Sequence, residues 1–303
     1  MKANQIAGKT IKFIHGNINI ALLTVILLLI AFAGYALWDS EQIYQAADKS
    51  NYAVYKPGSA DEGRSFQELQ SLNADVIAWL QVYGTNIDYP VTQGRDNMKY
   101  VNTNAEGLYS LSGAIFLDSG NSSDFSDFNS ILYGHHMEKK VMFGEIGTFS
   151  SREVFDSRRY GNLYFNGKDH GIEFFAFLHT DAYDSAVFRP RVREEARGAY
   201  LDSLLGKAMY IRDIGVTAED RIVLLSTCSA SSTNGRDILI GRLRDGSYDD
   251  QTVTAGAYEE KEEADSPISL VREIPLWSLL LLLILAALLV IRIFEICRGR
   301  RRK

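Results

Sequence analysis

Cysteine and proline are both scarce in this chain, at two and five residues among 303. So few cysteines rule out a disulfide-stapled scaffold. The low proline content, with no low-complexity tract, excludes a disordered or extended linker protein. Metal-site patterns are missing too: there is no HExxH, no closely spaced Cys pair and no EF-hand loop. Neither a metal nor a cofactor is therefore expected. The net charge is −6, and nine of the 32 Lys and Arg residues sit at the two ends, which leaves the middle strongly acidic. Nucleic acid is accordingly not an expected partner. What is present is a rich supply of aromatic residues and glycine, as in a packed domain.

Charge is also absent locally. Residues 20–38 and 274–291 contain no Asp, Glu, Lys or Arg. Each is close to the roughly 20 residues that cross a bilayer as a helix, and neither shows the polar face of a core helix. The first is longer than a typical signal-peptide apolar region and has no clear cleavage site, so an uncleaved anchor is expected. Lys2, Lys9 and Lys12 precede it. Arg292, Arg298, Arg300, Arg301, Arg302 and Lys303 follow the second run. The positive-inside rule then puts both termini in the cytoplasm and everything between the spans outside the cell membrane. The expected organisation is a cytoplasmic N-terminus (1–19), a transmembrane anchor (20–38), a stalk (39–65), a catalytic domain (66–244), an acidic linker (245–273), a second transmembrane helix (274–291) and a basic cytoplasmic tail (292–303).

Within the external part, Phe66, Leu69, Leu72, Val76, Ile77 and Leu80 recur at helical spacing, which predicts one helix over 66–82. From Ile87 the pattern changes to short β-type runs at 87–91, 113–117, 130–133, 162–165, 172–178, 221–226 and 237–243, separated by Gly, Asn, Asp and Ser. Many short strands argue for a mainly β fold, closed or nearly closed into a barrel. A helix is expected over 193–209, where Ala196, Tyr200, Leu204 and Leu205 share a face.

The external domain contains a single cysteine, Cys228. A free Cys is commonly a small buried hydrophobe, but here it ends a β-type run. Small and polar residues, Ser229 to Gly235, follow it, and a second β-type run opens at Arg236. A strand end fixes the backbone while its side chain meets solvent. A neighbouring Arg favours the thiolate and stabilises the anion formed when a carbonyl is attacked. Alone, Arg236 reads more readily as a surface residue paired with Asp237 or Asp245. A thiol nucleophile also needs a proton partner near neutral pH, for which His is best suited. His135 and His136 follow Gly134 at the end of another β-type run. His15 lies at the membrane entrance, His170 fits a turn and His179 ends a hydrophobic strand; these three are read as structural. The residues alone thus define an exported Cys/His acyl-transfer enzyme.

Several runs together resemble the class B sortases. Leu225, Ser226, Thr227 and Cys228 resemble the sortase Cys motif. Tyr133, Gly134 and His135 resemble the His motif, and Arg236 matches the Arg that opens the next strand. The class B features are Asp88-Tyr-Pro-Val91, Gln93, Asp96, Asn97 and Tyr100, then Gly113-Ala-Ile-Phe-Leu-Asp118 and, after the His, Met142-Phe-Gly144. The resemblance implies an eight-stranded sortase-type β-barrel with an N-terminal helical extension, here flanked by two transmembrane helices. It implies Cys228 as nucleophile, His135 as proton-transfer partner and Arg236 as oxyanion stabiliser, with Tyr133, Ser226, Asn97 and Phe188 as substrate-side walls. His136 holds a variable family position and is expected to be dispensable.

The implied activity is cleavage after the Thr of a C-terminal sorting motif on secreted surface proteins or pilins. Transfer follows to an amine, a cell-wall peptide cross-bridge or a pilin Lys. A C-terminal span is a feature of the pilin-polymerising class C sortases, whose Asp-Pro-aromatic lid motif is missing from 51–63. Two rival readings are a cysteine peptidase with water as acceptor and a non-catalytic membrane assembly factor that keeps the fold. Product analysis with and without an added amine separates the first, and the joint presence of Cys, His and Arg weighs against the second. If the charge flanks set the topology, a C-terminal tag in intact cells is expected to resist a membrane-impermeant label; labelling from outside would contradict it.

Overall fold

The computed structural model describes residues 2–58, 65–229 and 234–249. The second apolar run, Cys297 and most of the loop after Cys228 lie outside the described residues. Two compact units are present, one holding α1 as far as Gln42 and the other beginning at Ile43.

In the first unit, α1 (Lys2–Ala46) contains the one helix among the described residues that is long and apolar enough to cross a membrane, at Ile20–Ala46. Its apolar side chains, among them Leu22, Leu28 and Phe32, are exposed. Among the described residues no protein core covers them.

The second unit opens with short 3-10 turns at Lys49–Asn51 and Ala53–Tyr55 that lay Ala47, Tyr52 and Tyr55 into the core. α2 (Phe66–Leu72) starts at Ser65, whose side chain accepts a hydrogen bond from the Glu68 amide at 3.3 Å, with Glu68 three residues on as in a capping box. The strands are β1 (Val76–Val82), β2 (Asp88–Thr92), β3 (Ile115–Leu117), β4 (Asn129–Tyr133), β5 (Tyr160–Phe165), β6 (Lys168–Asp181), β7 (Ala208–Ile211), β8 (Arg221–Cys228) and β9 (Gly235–Asp245). α3 (Arg152–Ser157) precedes β5, and α4 (Arg197–Lys207) leads into β7.

Neighbours in the sheet run β5-β1-β2-β3-β4-β8-β9-β6-β7, and β5 also pairs with β6. That second pairing closes eight strands into a mixed barrel, with β7 added outside the ring along β6. The expected eight-stranded barrel is therefore present. The single helix expected over 66–82 is not. α2 ends at Leu72, and Val76–Val82 is β1, paired on both sides with β2 and β5. Its apolar residues are nearly continuous because both faces are covered, so a helical spacing could be read into them. The helix expected over 193–209 likewise stops at Lys207, and β7 takes over at Ala208.

Side-chain alternation sorts the core into two layers. Val223, Leu225, Leu239 and Phe177 join residues from every strand of the ring, so they fill the barrel. Ile131, Leu224, Ile238, Ile240 and Leu178 face outward and are covered by Val187 and by Tyr200, Leu201 and Leu204 of α4. This parity decides which way the ends of β4, β8 and β9 point.

The N-terminal extension is tied to the barrel by Tyr89 of β2, which is buried. Its hydroxyl donates to the Ala47 carbonyl at 3.0 Å and accepts from the Met142 amide at 3.1 Å. Burial, reinforced by the nearby Asp48 and Asp88 carboxylates, pushes this phenol up and keeps it protonated. Tyr89→Phe leaves both backbone groups unpartnered. It is expected to cost about 1–3 kcal/mol in urea unfolding; an unchanged midpoint would show that solvent takes over both bonds.

Candidate active site

The site is assembled by strand register. β4 and β8 pair in parallel, with Tyr133 level with Ser226. The pairing continues one step further through a Gly134 amide bond to the Ser226 carbonyl at 3.2 Å. Two residues on from that level stand His135 on one chain and Cys228 on the other. Across β8, the antiparallel ladder to β9 pairs Cys228 directly with Arg236. Three consecutive strand ends thus deliver His135, Cys228 and Arg236 to one level of one rim. Cys228 and Arg236 share the outward parity of Leu224 and Ile238, so thiol and guanidinium leave the barrel on the same face. Cys228 is a free thiol and is exposed, while Thr227 before it is buried.

The imidazole of His135 is held from behind. Its Nε2 lies 2.8 Å from the Val101 carbonyl oxygen. A carbonyl only accepts, so Nε2 carries the hydrogen, and the lone pair of the neutral ring falls on Nδ1. The backbone around it is fixed as well. The His135 carbonyl accepts from the Phe143 amide at 3.1 Å, and His136 forms an isolated bridge with Met142. His136 takes its place in that bridge, and its Nδ1 is buried with no partner among the described residues. Gly134 is required by close approach: a Cβ there would sit 2.7 Å from the Phe143 ring. Its φ is not positive, so backbone conformation does not require glycine there.

The four expected substrate-side residues lie around the same face. Tyr133 stacks on Phe188 with centroids 6.2 Å apart and tilts against Phe116 at 5.4 Å. Phe188 comes from the connection between β6 and β7. Ser226 is buried beside Tyr133, and its hydroxyl has no partner among the described residues. Asn97 reaches the cluster through Asp118, which accepts from the Asn97 Nδ2 at 2.9 Å and from the Tyr133 hydroxyl at 3.0 Å. Burial first, and then the Asp118 charge, pushes the Tyr133 phenol up, against a smaller opposing effect of Arg236. Asp118 and the Val101 carbonyl were not singled out from sequence. Asp118 closes a run noted there for its resemblance, whereas a main-chain carbonyl leaves no side-chain signal.

His170 and His179 stay apart from this face. His170 stacks on Phe165 at 3.8 Å. His179 Nδ1 pairs with Asp237 at 2.9 Å, on the barrel-facing side of the sheet. Among the described residues no group of His, Cys, Asp and Glu could hold a metal ion.

An exposed thiol with imidazole and guanidinium groups level with it can carry out acyl transfer through a thioester, and the barrel around it defines a class. Sortase B of Listeria monocytogenes is 30% identical over 181 residues, covering 58% of this chain and 73% of that protein. Among solved structures, Clostridium perfringens sortase B is 35% identical, with a TM-score of 0.57 and coverage of 60% of this chain and 100% of that one. The sortase B from the Type II pilus of Streptococcus pneumoniae is 46% identical, with a TM-score of 0.53 and coverage of 60% and 99%. No protein-family model matches the chain. The chain belongs to the class B sortases, which are cysteine transpeptidases.

Arg236 presents a planar fork of donors, where Lys has one donor head. Losing such a donor costs about 3 kcal/mol of transition-state stabilisation, a hundredfold or more in rate. Arg236→Lys and His135→Ala are each expected to lose at least that much in peptide-to-amine transfer, and His136→Ala far less. Loss concentrated in His136→Ala would mean that the other ring acts, and near-normal Arg236→Lys would leave the oxyanion to backbone amides.

Proposed function

We propose that this sortase cleaves a C-terminal sorting motif of secreted surface proteins or pilins and joins the acyl fragment to an amine. The support for this reading is the register that brings Cys228, His135 and Arg236 to one exposed rim. In the first half, the Cys228 thiol passes its proton to the Nδ1 lone pair of His135 as the sulfur adds to the scissile carbonyl carbon, and Arg236 with nearby backbone amides holds the oxyanion. The C–N bond then breaks, and His135 gives its Nδ1 proton to the departing amine. A thioester on Cys228 remains. In the second half an incoming amine attacks that thioester, Nδ1 of His135 takes its proton, the C–S bond breaks and the thiolate is restored. The acceptor is a cell-wall peptide cross-bridge or a pilin Lys. No metal or cofactor takes part in either half.

Substrate is proposed to lie along the outward face beside Cys228, against Tyr133, Ser226, Asn97 and Phe188. Tyr133 is two residues before the catalytic level, about 7 Å along the strand from it. The protein is proposed to be anchored in the cell membrane by the first span, with the barrel outside and both termini cytoplasmic. The exposed apolar surface of Ile20–Ala46 supports the anchor, and the basic flanks support the orientation.

Cys228→Ala is expected to fold with an unchanged unfolding midpoint and to lose all transfer of a sorting peptide to triglycine. Product analysis by chromatography reads both fates. Full activity of the Ala variant would refute the nucleophile, and hydrolysis alone in the presence of abundant amine would make the protein a peptidase.

A further inference from the structure

Asp118 is a carboxylate buried to 7% exposure at the rim of the proposed substrate face. It follows β3 directly, and its amide donates to the Ile131 carbonyl of β4 at 2.8 Å. Oδ1 accepts from the Gly120 amide at 2.8 Å. Oδ2 accepts from both the Tyr133 hydroxyl and Asn97 Nδ2. The Asn97 Oδ1 in turn accepts from the Ser119 amide at 2.7 Å. Gln93 Nε2 donates to the Asp118 carbonyl at 3.0 Å and ties the same corner to the end of β2.

These bonds fix more than position. A carboxylate only accepts, so the Tyr133 proton is committed to Asp118 and the phenol oxygen has only lone pairs left to offer. Asn97 has its oxygen occupied and one N–H committed, so what it has left to offer is its second N–H. The ring of Tyr133 cannot swing away, being packed against Phe116 and Phe188. One acceptor and one donor therefore stand side by side, the complement of an amide group, with a buried negative charge behind them.

We propose that Asp118 is a positioning residue that sets the hydrogen-bonding sense of the Tyr133–Asn97 wall, so that it takes an amide of the substrate and rejects a carboxylate. The proposal rests on the acyl-transfer reading, in which substrate lies along this face. An amide has two possible sources, the peptide backbone or an Asn or Gln side chain. In Asp118→Asn the introduced NH2 can donate to the Tyr133 oxygen, which occupies the acceptor the substrate needs.

The test uses the full chain in detergent, with triglycine as amine and matched acyl-donor pentapeptides as probes. One set carries Asn or Gln at each position in turn, a second carries Asp or Glu there, and a third is N-methylated at each backbone amide. In the wild type, one position is expected to lose about tenfold or more in kcat/KM, the scale of one hydrogen bond involving a charged group. Loss on exchange to the acid assigns the side-chain source, and loss on N-methylation the backbone source. In Asp118→Asn that penalty is expected to fall below about threefold, with KM raised about tenfold and kcat within about threefold of wild type. Tyr133→Phe, which removes the acceptor without touching the carboxylate, is expected to erase the same penalty.

A penalty unchanged in both variants would overturn the proposal. So would a fall in kcat that is equal for all peptides and tracks a lowered unfolding midpoint, which is what a purely structural Asp118 gives. A wild type that acylates Cys228 but shows no discriminating position overturns this proposal alone. A wild type that transfers no peptide overturns the acyl-transfer reading and this proposal with it.

Discussion

The backbone ladder across β4, β8 and β9 is the constraint on which the site depends. Its pairs join residues 129–133 to 222–226, far apart in sequence, and then 221–228 to 236–243 across a short loop. Side chains alternate along each strand, so a slip of one residue would turn Cys228 into the barrel and Thr227 out of it. What prevents the slip is burial on both faces. Val223 and Leu225 belong to the barrel interior, while Ile222 and Leu224 belong to the layer under α4. Burying an aliphatic side chain contributes about 1.5–3 kcal/mol, and a slipped strand would forfeit several such burials at once. The thiol is thereby presented by a rigid element, with Arg236 fixed opposite it on the neighbouring strand of the same sheet.

The imidazole is the member of the set that the ladder alone does not hold, because β4 ends at Tyr133. Its segment is secured by close packing and by main-chain bonds. Phe143 lies against Gly134 so closely that any side chain there would collide with the ring. Lys139, Lys140 and Met142 all adopt positive φ, which is uncommon for residues other than glycine. Such conformations cost of order 1–3 kcal/mol each and persist only where the surroundings over-determine them. Here the surroundings are the Tyr89 hydroxyl on Met142, the bridge from Met142 to His136, and the Val101 carbonyl on the His135 ring. The N-terminal extension therefore enters the account of the active site, since Ala47 holds the other side of the Tyr89 hydroxyl.

Much of this was legible in the sequence, for reasons that can be named. Strands with one sided alternation or clear Gly and Asn boundaries were readable, and the ordered Cys, His and Arg runs pointed to the chemistry and the family. β1 was misread because a strand covered on both faces has no alternation to betray it, and Val76, Ile77 and Leu80 also fit a helical face. β7 was absorbed into the helix before it, being a short outer strand whose burial alternates weakly. Tyr133, Asn97 and Phe188 were legible through resemblance, and the structure groups them. Asp118, which joins two of them, was not legible as a hub, because three of its bonds come from partners 15, 21 and 2 residues away and no local pattern encodes that convergence. The hydrogen on Nε2 of His135 was likewise invisible, since the group that dictates it is a main-chain oxygen.

Cys228 is proposed to carry the acyl group between two amines. The most direct measurement is intact-protein mass spectrometry followed by peptide mapping, after incubating the full chain with an acyl-donor peptide and no amine. The expected result is a mass gain equal to the N-terminal acyl fragment, located on Cys228 and discharged when triglycine is added, with the fragment recovered joined to the glycine amine. Cleavage of the peptide with an adduct on another residue, or with none formed under rapid quenching, would contradict it.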